Sequence, residues 1–193
     1  MSMSTQRFLI VYGTHHGQSA LIAQHIAQAL QSAGATTLVN GIDLPQSISP
    51  RDFDGVIIGG SIQFNQHQRF LKQFARKHRN ALNAMPSAFF SVSGAGAGRT
   101  DVERAQAGDY IAEFLRETGW HPKVTASFGG AIAYTRYNPL LRWVMRRIAA
   151  EKGGPTDTSR DHSLTDWTQV ERFALDFATT VSHPQGEQLS ATT

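Results

Sequence analysis

The chain has 193 residues, 40% of them hydrophobic and 17% charged, with a net charge of +3. That is the length of one ordinary domain with room for a real core, and the composition argues against a wholly disordered chain. No cysteine is present, which excludes disulfides, thiolate catalysis, cysteine-ligated iron–sulfur clusters and cysteine zinc sites. The first residues, MSMSTQR, lack an apolar signal core, and no apolar run reaches the length of a membrane span, so the expected compartment is the cytoplasm.

Phe8 to Tyr12 is a short apolar run that reads as a strand, and Gly13 to Ser19 (GTHHGQS) turns the chain into a helix. Leu21, Ile22, Ile26, Ala29 and Leu30 recur there at helical spacing, with Gly34 as the stop. Thr36 to Asn40 is a second strand, followed by a polar connection around Asp43 to Asp52. Gly55 to Gly60 is a third, apolar throughout and therefore expected to be covered on both faces. An amphipathic helix follows, carrying Phe70, Leu71, Phe74 and Ala75. Met85 to Val92 is a fourth strand, and Asp101 to Thr118 is a helix with Val102, Ala105, Tyr110, Ile111, Phe114 and Leu115 as its expected inner face.

Val124 to Ala133 supplies a fifth strand, and a last helix runs from about Asp166 to Thr180. Strands and helices alternate at short intervals, which calls for a doubly wound α/β domain with a parallel sheet. Residues 1–181 form that single domain, with Tyr134 to Leu164 as an insertion that five strands do not need. Ser182 to Thr193 is polar and aperiodic and reads as a disordered tail.

The first loop is an anion site by its chemistry. The opening N–H groups of a helix lack intrahelical acceptors and the helix dipole adds positive potential there. Glycine lets backbone come close, and Thr14 and Ser19 carry hydroxyl donors. A nucleotide P-loop needs lysine where Gln18 stands, and a dinucleotide fingerprint needs three glycines where this loop has two. What remains resembles the T-x-T-G-x-T phosphate loop of flavodoxins, with Thr14, Gly17 and Ser19 matched and His16 in the second threonine position.

In a doubly wound sheet the ligand lies at the carboxyl ends of the strands. The loops after strands three and four are Gly59 to Asn65 and Ser91 to Arg99. A phosphate in the first loop and a flat ring between the other two is the geometry of FMN. The expected cofactor contacts are Thr14, His15, His16, Gly17, Gln18 and Ser19, then Ser61, Ile62, Gln63 and Phe64, then Ser93, Gly94, Ala95, Gly96 and Ala97. Three loops at the right strand ends are harder to dismiss than any one of them, since each alone reads equally as a structural turn. His15, His16, His67 and His78 show no fixed ligand spacing, so no metal is expected.

Between Arg136 and Lys152 lie five basic residues, Arg136, Arg142, Arg146, Arg147 and Lys152, against the single acid Glu151. Leu140, Leu141, Val144, Met145 and Ile148 fall on a helical stripe with Trp143 and Tyr137 nearby. A basic amphipathic helix suits an anionic lipid surface or an acidic ligand, and equally an ordinary helix packed on the sheet.

MPSAFFSV (Met85 to Val92), GGSIQF (Gly59 to Phe64), GAIAYTRY (Gly130 to Tyr137) and GGPTDTSRDHSLTDW (Gly153 to Trp167) resemble the flavodoxin-type, quinone-dependent bacterial protoporphyrinogen oxidases. The resemblance covers nearly the whole chain apart from its ends. It implies a flavodoxin-like sheet of order 2-1-3-4-5, noncovalent FMN, and oxidation of protoporphyrinogen IX. Electrons would pass to menaquinone or ubiquinone at the inner face of the cell membrane, with the protein held there peripherally through the insertion. No nucleic-acid partner is implied, and the insertion could also serve self-association.

The flavin would carry the chemistry, so no acid or base side chain is assigned. Arginine suits porphyrin propionates because its fork binds a carboxylate bidentately. Arg136 is the first candidate, with Arg142, Arg146 and Arg147 behind it. The departures are His16 and the Gly/Ala run after Ser93, where the family pattern has bulkier and more basic residues. Alternatives are a general FMN-dependent quinone reductase and a non-enzymatic electron carrier, although a carrier for basic partners would be acidic.

Overall fold

The structure is a computed structural model that describes residues 5–41, 48–98, 100–151 and 153–182. The expected tail therefore lies outside the described residues except for Ser182, as do Asp43 to Ser47 of the polar connection, Arg99 and Lys152. Five parallel strands, β1 (Arg7–Gly13), β2 (Thr36–Asn40), β3 (Gly55–Ser61), β4 (Ser87–Ser93) and β5 (Val124–Gly129), pair in the order β2-β1-β3-β4-β5. The helices are α1 (Gln18–Ser32), α2 (Arg69–Lys77), α3 (Arg79–Ala84), α4 (Asp101–Thr118), α5 (Pro139–Glu151) and α6 (Trp167–Ser182).

Side chains alternate across a strand, and here both faces are buried, so each central strand feeds two cores. Phe8, Ile10, Ile57, Ala88 and Phe90 pack under α1 and α6 with Ile22, Ile26, Phe173 and Phe177. Leu9, Val11, Val56, Ile58 and Phe89 pack on the other face under α2 and α4, with Leu71, Phe114 and Trp120. Two helix faces differ from the sequence expectation. Leu21 and Val102 are exposed, and the inward stripe of α4 runs through Glu103, Ala107, Phe114 and Thr118. Apolarity finds a helical stripe but leaves its phase uncertain by one position, and packing decides it.

The fifth strand stops at Gly129, short of the expected Ala133. Ala131–Ile132 (β6) leaves the sheet and pairs antiparallel with His162–Ser163 (β7), so a two-stranded ribbon closes the base of the insertion. Tyr134, fully buried, anchors it further by donating its hydroxyl to Pro155 O at 2.8 Å. Asp166, the expected start of the last helix, accepts from the N–H groups of Thr168 and Gln169 at 3.0 and 3.2 Å and caps α6.

Below the strand ends, His67 is 6% exposed and packs edge-on against the stacked rings of Phe89 and Phe114, with its Nε2 3.0 Å from Ser91 Oγ. Burial, reinforced by the nearby Lys72 charge, pushes its pKa down to about 3. The unfolded chain then binds a proton that the folded one refuses. Stability from this group is fully present above the ordinary histidine range and is lost as pH falls towards about 3, at up to about 1.4 kcal/mol per pH unit. Urea midpoints at about pH 7 and about pH 5 measure the loss, and H67Q, which cannot titrate, should flatten the profile.

Candidate functional site

The site is built at the carboxyl ends of β1, β3 and β4. After β1, Gly17 takes φ +93° so that the chain can enter α1, a conformation that only glycine adopts without strain. Its N–H donates to Thr14 Oγ1 at 2.9 Å, closing the loop on itself and leaving the Thr14 hydroxyl proton to point elsewhere. The first turn of α1 contains no acidic residue to neutralise the dipole. Ser19 Oγ, in that turn, is buried and has no hydrogen-bond partner. A buried hydroxyl without a partner costs free energy, and an anion accepting from it would remove that cost. Gln18, where a P-loop has lysine, instead donates through Nε2 to Ser163 Oγ (3.1 Å) and Thr165 Oγ1 (2.7 Å). Burial, with the charge of His16, holds His15 below the usual imidazole pKa.

After β3, Ile62 N–H donates to Val92 O at 2.8 Å, and Gln63 and Gln66 exchange backbone bonds at 2.9 and 3.0 Å across a two-residue turn. Phe64 and Asn65 occupy that turn at φ +49° and +61°. A bulky aromatic is uncommon there, and Phe64 is displayed to solvent with 92% of its surface exposed. The turn is tied to α4 by Tyr110, whose hydroxyl donates to Asn65 Oδ1 at 3.0 Å.

After β4, Ser93 Oγ accepts from Gly96 N–H at 2.9 Å, and a short 3-10 turn covers Ala95–Ala97. A Cβ on Gly96 would lie 2.0 Å from the backbone oxygen of Phe128, so the loop lies directly on β5. The Gly/Ala run that departs from the resembled family is therefore a close-packing requirement at this position.

These loops enclose two adjoining chambers. The smaller, about 100 Å³, is lined by Thr14, His15, His16 and Gln18, by Ser61, Ile62 and Gln63, and by Val92, Ser93 and Gly94, with Gly130 and Ala131 at its edge. The larger, about 320 Å³, shares Ile62, Ser93 and Gly94 and continues along Ala95 and Ala97. Its volume is in the range of small-molecule pockets, and its walls are mostly apolar. An anion-compatible loop opening into an apolar chamber suits a ligand with an anionic end and an apolar body. All three expected loops contribute here, although Gly17, Ser19, Phe64 and Gly96 line neither chamber: Ser19 is buried in α1, Phe64 is displayed to solvent and Gly96 packs on β5.

The sequence reading missed the rest of the larger chamber. Glu103, Gln106 and Tyr110 come from α4, Met145, Ile148 and Ala149 from α5, and Ile132, Gly154 and Leu164 from the ribbon and its approach. The available signal was the spacing of Glu103, Gln106 and Tyr110, which places these polar groups on one side of α4.

The four arginines are dispersed. Arg136 donates from Nη1 to His16 O at 3.0 Å, inside the first loop. Arg142 donates to the carbonyls of Tyr134 and Tyr137 at 2.9 and 3.1 Å and so braces its own segment. Arg147 pairs with Glu151 at 3.3 Å on the exposed side of α5; burial, with the neighbouring Tyr137, raises the Tyr134 phenol above its ordinary pKa, and the nearby Arg146 charge only partly opposes that rise. Among the described residues, no group of three or more histidine, aspartate or glutamate side chains could hold a metal.

A flavodoxin-domain family model matches residues 9–159. A protein of Escherichia coli K12 named protoporphyrinogen IX dehydrogenase (quinone) is 33% identical over 176 residues, covering 91% of this chain and 97% of its own. A Leishmania major protein of the same name is 33% identical over 179 residues, covering 92% of this chain and 77% of its own. Among solved structures, oxidised flavodoxin 1 from Bacillus cereus superposes with a TM-score of 0.54 at 16% identity, covering 90% of this chain and 97% of its own.

Proposed function

The chain belongs to the flavodoxin-domain family and, within it, to the quinone-dependent protoporphyrinogen IX dehydrogenases, and from that premise we propose that it binds FMN and oxidises protoporphyrinogen IX to protoporphyrin IX in haem biosynthesis, passing the electrons to a membrane quinone. As a member of that family it is an oxidoreductase. The observation that carries the finer reading is the meeting of three strand-end loops around one crevice, an anion cradle at its narrow end and an apolar chamber at its wide end.

When bound, FMN supplies a redox centre able to accept hydride equivalents from the substrate. The protein's part is to hold and shield it. The first-turn N–H groups of α1 and the hydroxyls of Thr14 and Ser19 would hold the phosphate. Backbone from Ser61 to Gln63 and from Ser93 to Ala97 would flank the ring, and Met145, Ile148 and Ala149 would exclude water from one side of the larger chamber. No side-chain acid or base is assigned: the macrocycle would lose hydride equivalents and protons in pairs, the hydride equivalents passing through the flavin to the quinone and the protons going to solvent or to the quinol, with aromatisation supplying driving force. Arg146 and Arg147 are better placed than Arg142 to meet the propionates, since Arg142 braces backbone.

No described helix is long and apolar enough to cross a membrane. Contact with the lipid surface would instead be peripheral. Leu140 (73% exposed) and Trp143 (59%) stand out from α5 between Arg142, Arg146 and Arg147, the combination that binds an anionic interface. Anaerobic mixing of FMN-loaded protein with protoporphyrinogen IX and a quinone, followed by porphyrin fluorescence, tests the proposal. A rise above the protein-free control is expected, and no rise would overturn it.

A further inference from the structure

The phosphate loop has no lysine or arginine of its own. Gln18 occupies the position where a P-loop lysine would stand, and its amide nitrogen is already bonded to Ser163 and Thr165. His15 is pushed towards its neutral form by burial. A phosphate monoester carries close to two negative charges at neutral pH, and partial burial of such a group without a counter-charge is unfavourable. The full positive charge that reaches the loop by a direct bond comes from elsewhere in the sequence. Arg136, in the insertion, donates Nη1 to His16 O at 3.0 Å.

Its surroundings leave it suited to that task. Asp161 accepts from the Thr135 N–H and hydroxyl at 2.9 and 2.8 Å. Those bonds, with a smaller contribution from the Arg136 charge, hold its carboxyl below the usual range. Asp161 is thus anchored on Thr135 by two hydrogen bonds, with the Arg136 charge a lesser influence on it. Meanwhile Ser19 Oγ is fully buried in the first turn of α1 without a partner, an independent sign that this loop expects an acceptor.

We propose that Arg136 is the counter-cation of the flavin phosphate, supplied to the loop by the insertion, and that it makes the site select the phosphorylated cofactor over riboflavin. The assignment rests on the FMN reading and moves Arg136 from the porphyrin side of the site to the cofactor side. It also makes the insertion part of the cofactor site at its phosphate end as well as along the ring chamber.

The test is a pair of titrations. Apoprotein of the wild type, R136Q and R136K is titrated separately with FMN and with riboflavin, and binding is read from quenching of flavin fluorescence. R136Q should raise the FMN Kd by about tenfold or more while moving the riboflavin Kd by less than about twofold, and R136K should fall between. Equal weakening for both flavins would overturn the assignment in favour of a general structural role. An unchanged FMN Kd in R136Q with a raised KM for protoporphyrinogen IX would overturn it in favour of a substrate contact. Wild-type apoprotein that binds neither flavin would overturn the FMN reading itself, and this assignment with it.

Discussion

G96A should lose most of its affinity for FMN, by about tenfold or more, and about 1–3 kcal/mol of stability. The added methyl would lie 2.0 Å from the carbonyl oxygen of Phe128 and 2.5 Å from its carbonyl carbon. Both are backbone atoms of a strand paired along its length with β4, so neither can swing aside as a side chain could. The loop must move instead, breaking the Gly96 N–H bond to Ser93 Oγ and shifting Ala95 and Ala97, which line the larger chamber. Gly94 gives the control. A Cβ there meets nothing within 4 Å, so G94A should be close to neutral in stability. Calorimetric or urea unfolding of the two variants beside FMN titration separates them, and equal behaviour would show that the loop is not seated on β5.

The second large effect is expected at the lipid surface. Leu140, Trp143 and Val144 are exposed on α5 and line neither chamber, whereas Met145, Ile148 and Ala149 on the same helix wall the larger one. Replacing the first three with glutamate removes three apolar anchors and adds three negative charges beside Arg142, Arg146 and Arg147. Each apolar side chain taken out of water contributes on the order of 1.5–3 kcal/mol, so cosedimentation with anionic vesicles should fall by about a hundredfold or more. FMN affinity should be unchanged, because the chamber walls remain. Unaltered vesicle binding would show that α5 is an ordinary solvated helix. Deleting the whole helix would be a poorer test, since it would also open the cofactor chamber.

Much of this arrangement could be read from the residues alone. The five strands, their parallel arrangement and the three loops at their ends follow from short β-rich runs separated by glycine-rich turns and helical stripes, while their order came from the family resemblance. What could not be read depended on packing between distant segments. Leu21 and Val102 are apolar and lie one position away from the buried stripe, and only the neighbouring sheet determines which side turns inward. The departure of the chain from the fifth strand at Gly129 depends on a ribbon whose second strand lies some thirty residues later. Likewise, the walls contributed by α4 and α5 appear only when the insertion folds back over the loop after β4.

The arginines show the same limit from another side. Charge and spacing identified Arg136, Arg142, Arg146 and Arg147 as one basic group, but their partners divide them. Arg136 meets the first loop, Arg142 braces backbone, and Arg147 pairs along its own helix. Long flexible side chains on neighbouring positions can reach very different targets, so composition gives the sign of a surface and geometry gives the task of each residue.

The most direct measurement is a single anaerobic mixing of FMN-loaded protein with protoporphyrinogen IX, watching the visible absorbance of the bound flavin. The account predicts that the flavin band bleaches on mixing, and that added quinone restores the band while porphyrin fluorescence rises, because a two-electron flavin must turn over repeatedly to complete the six-electron oxidation. A flavin that stays oxidised in the presence of protoporphyrinogen IX, yet bleaches readily with an artificial reductant, would contradict it.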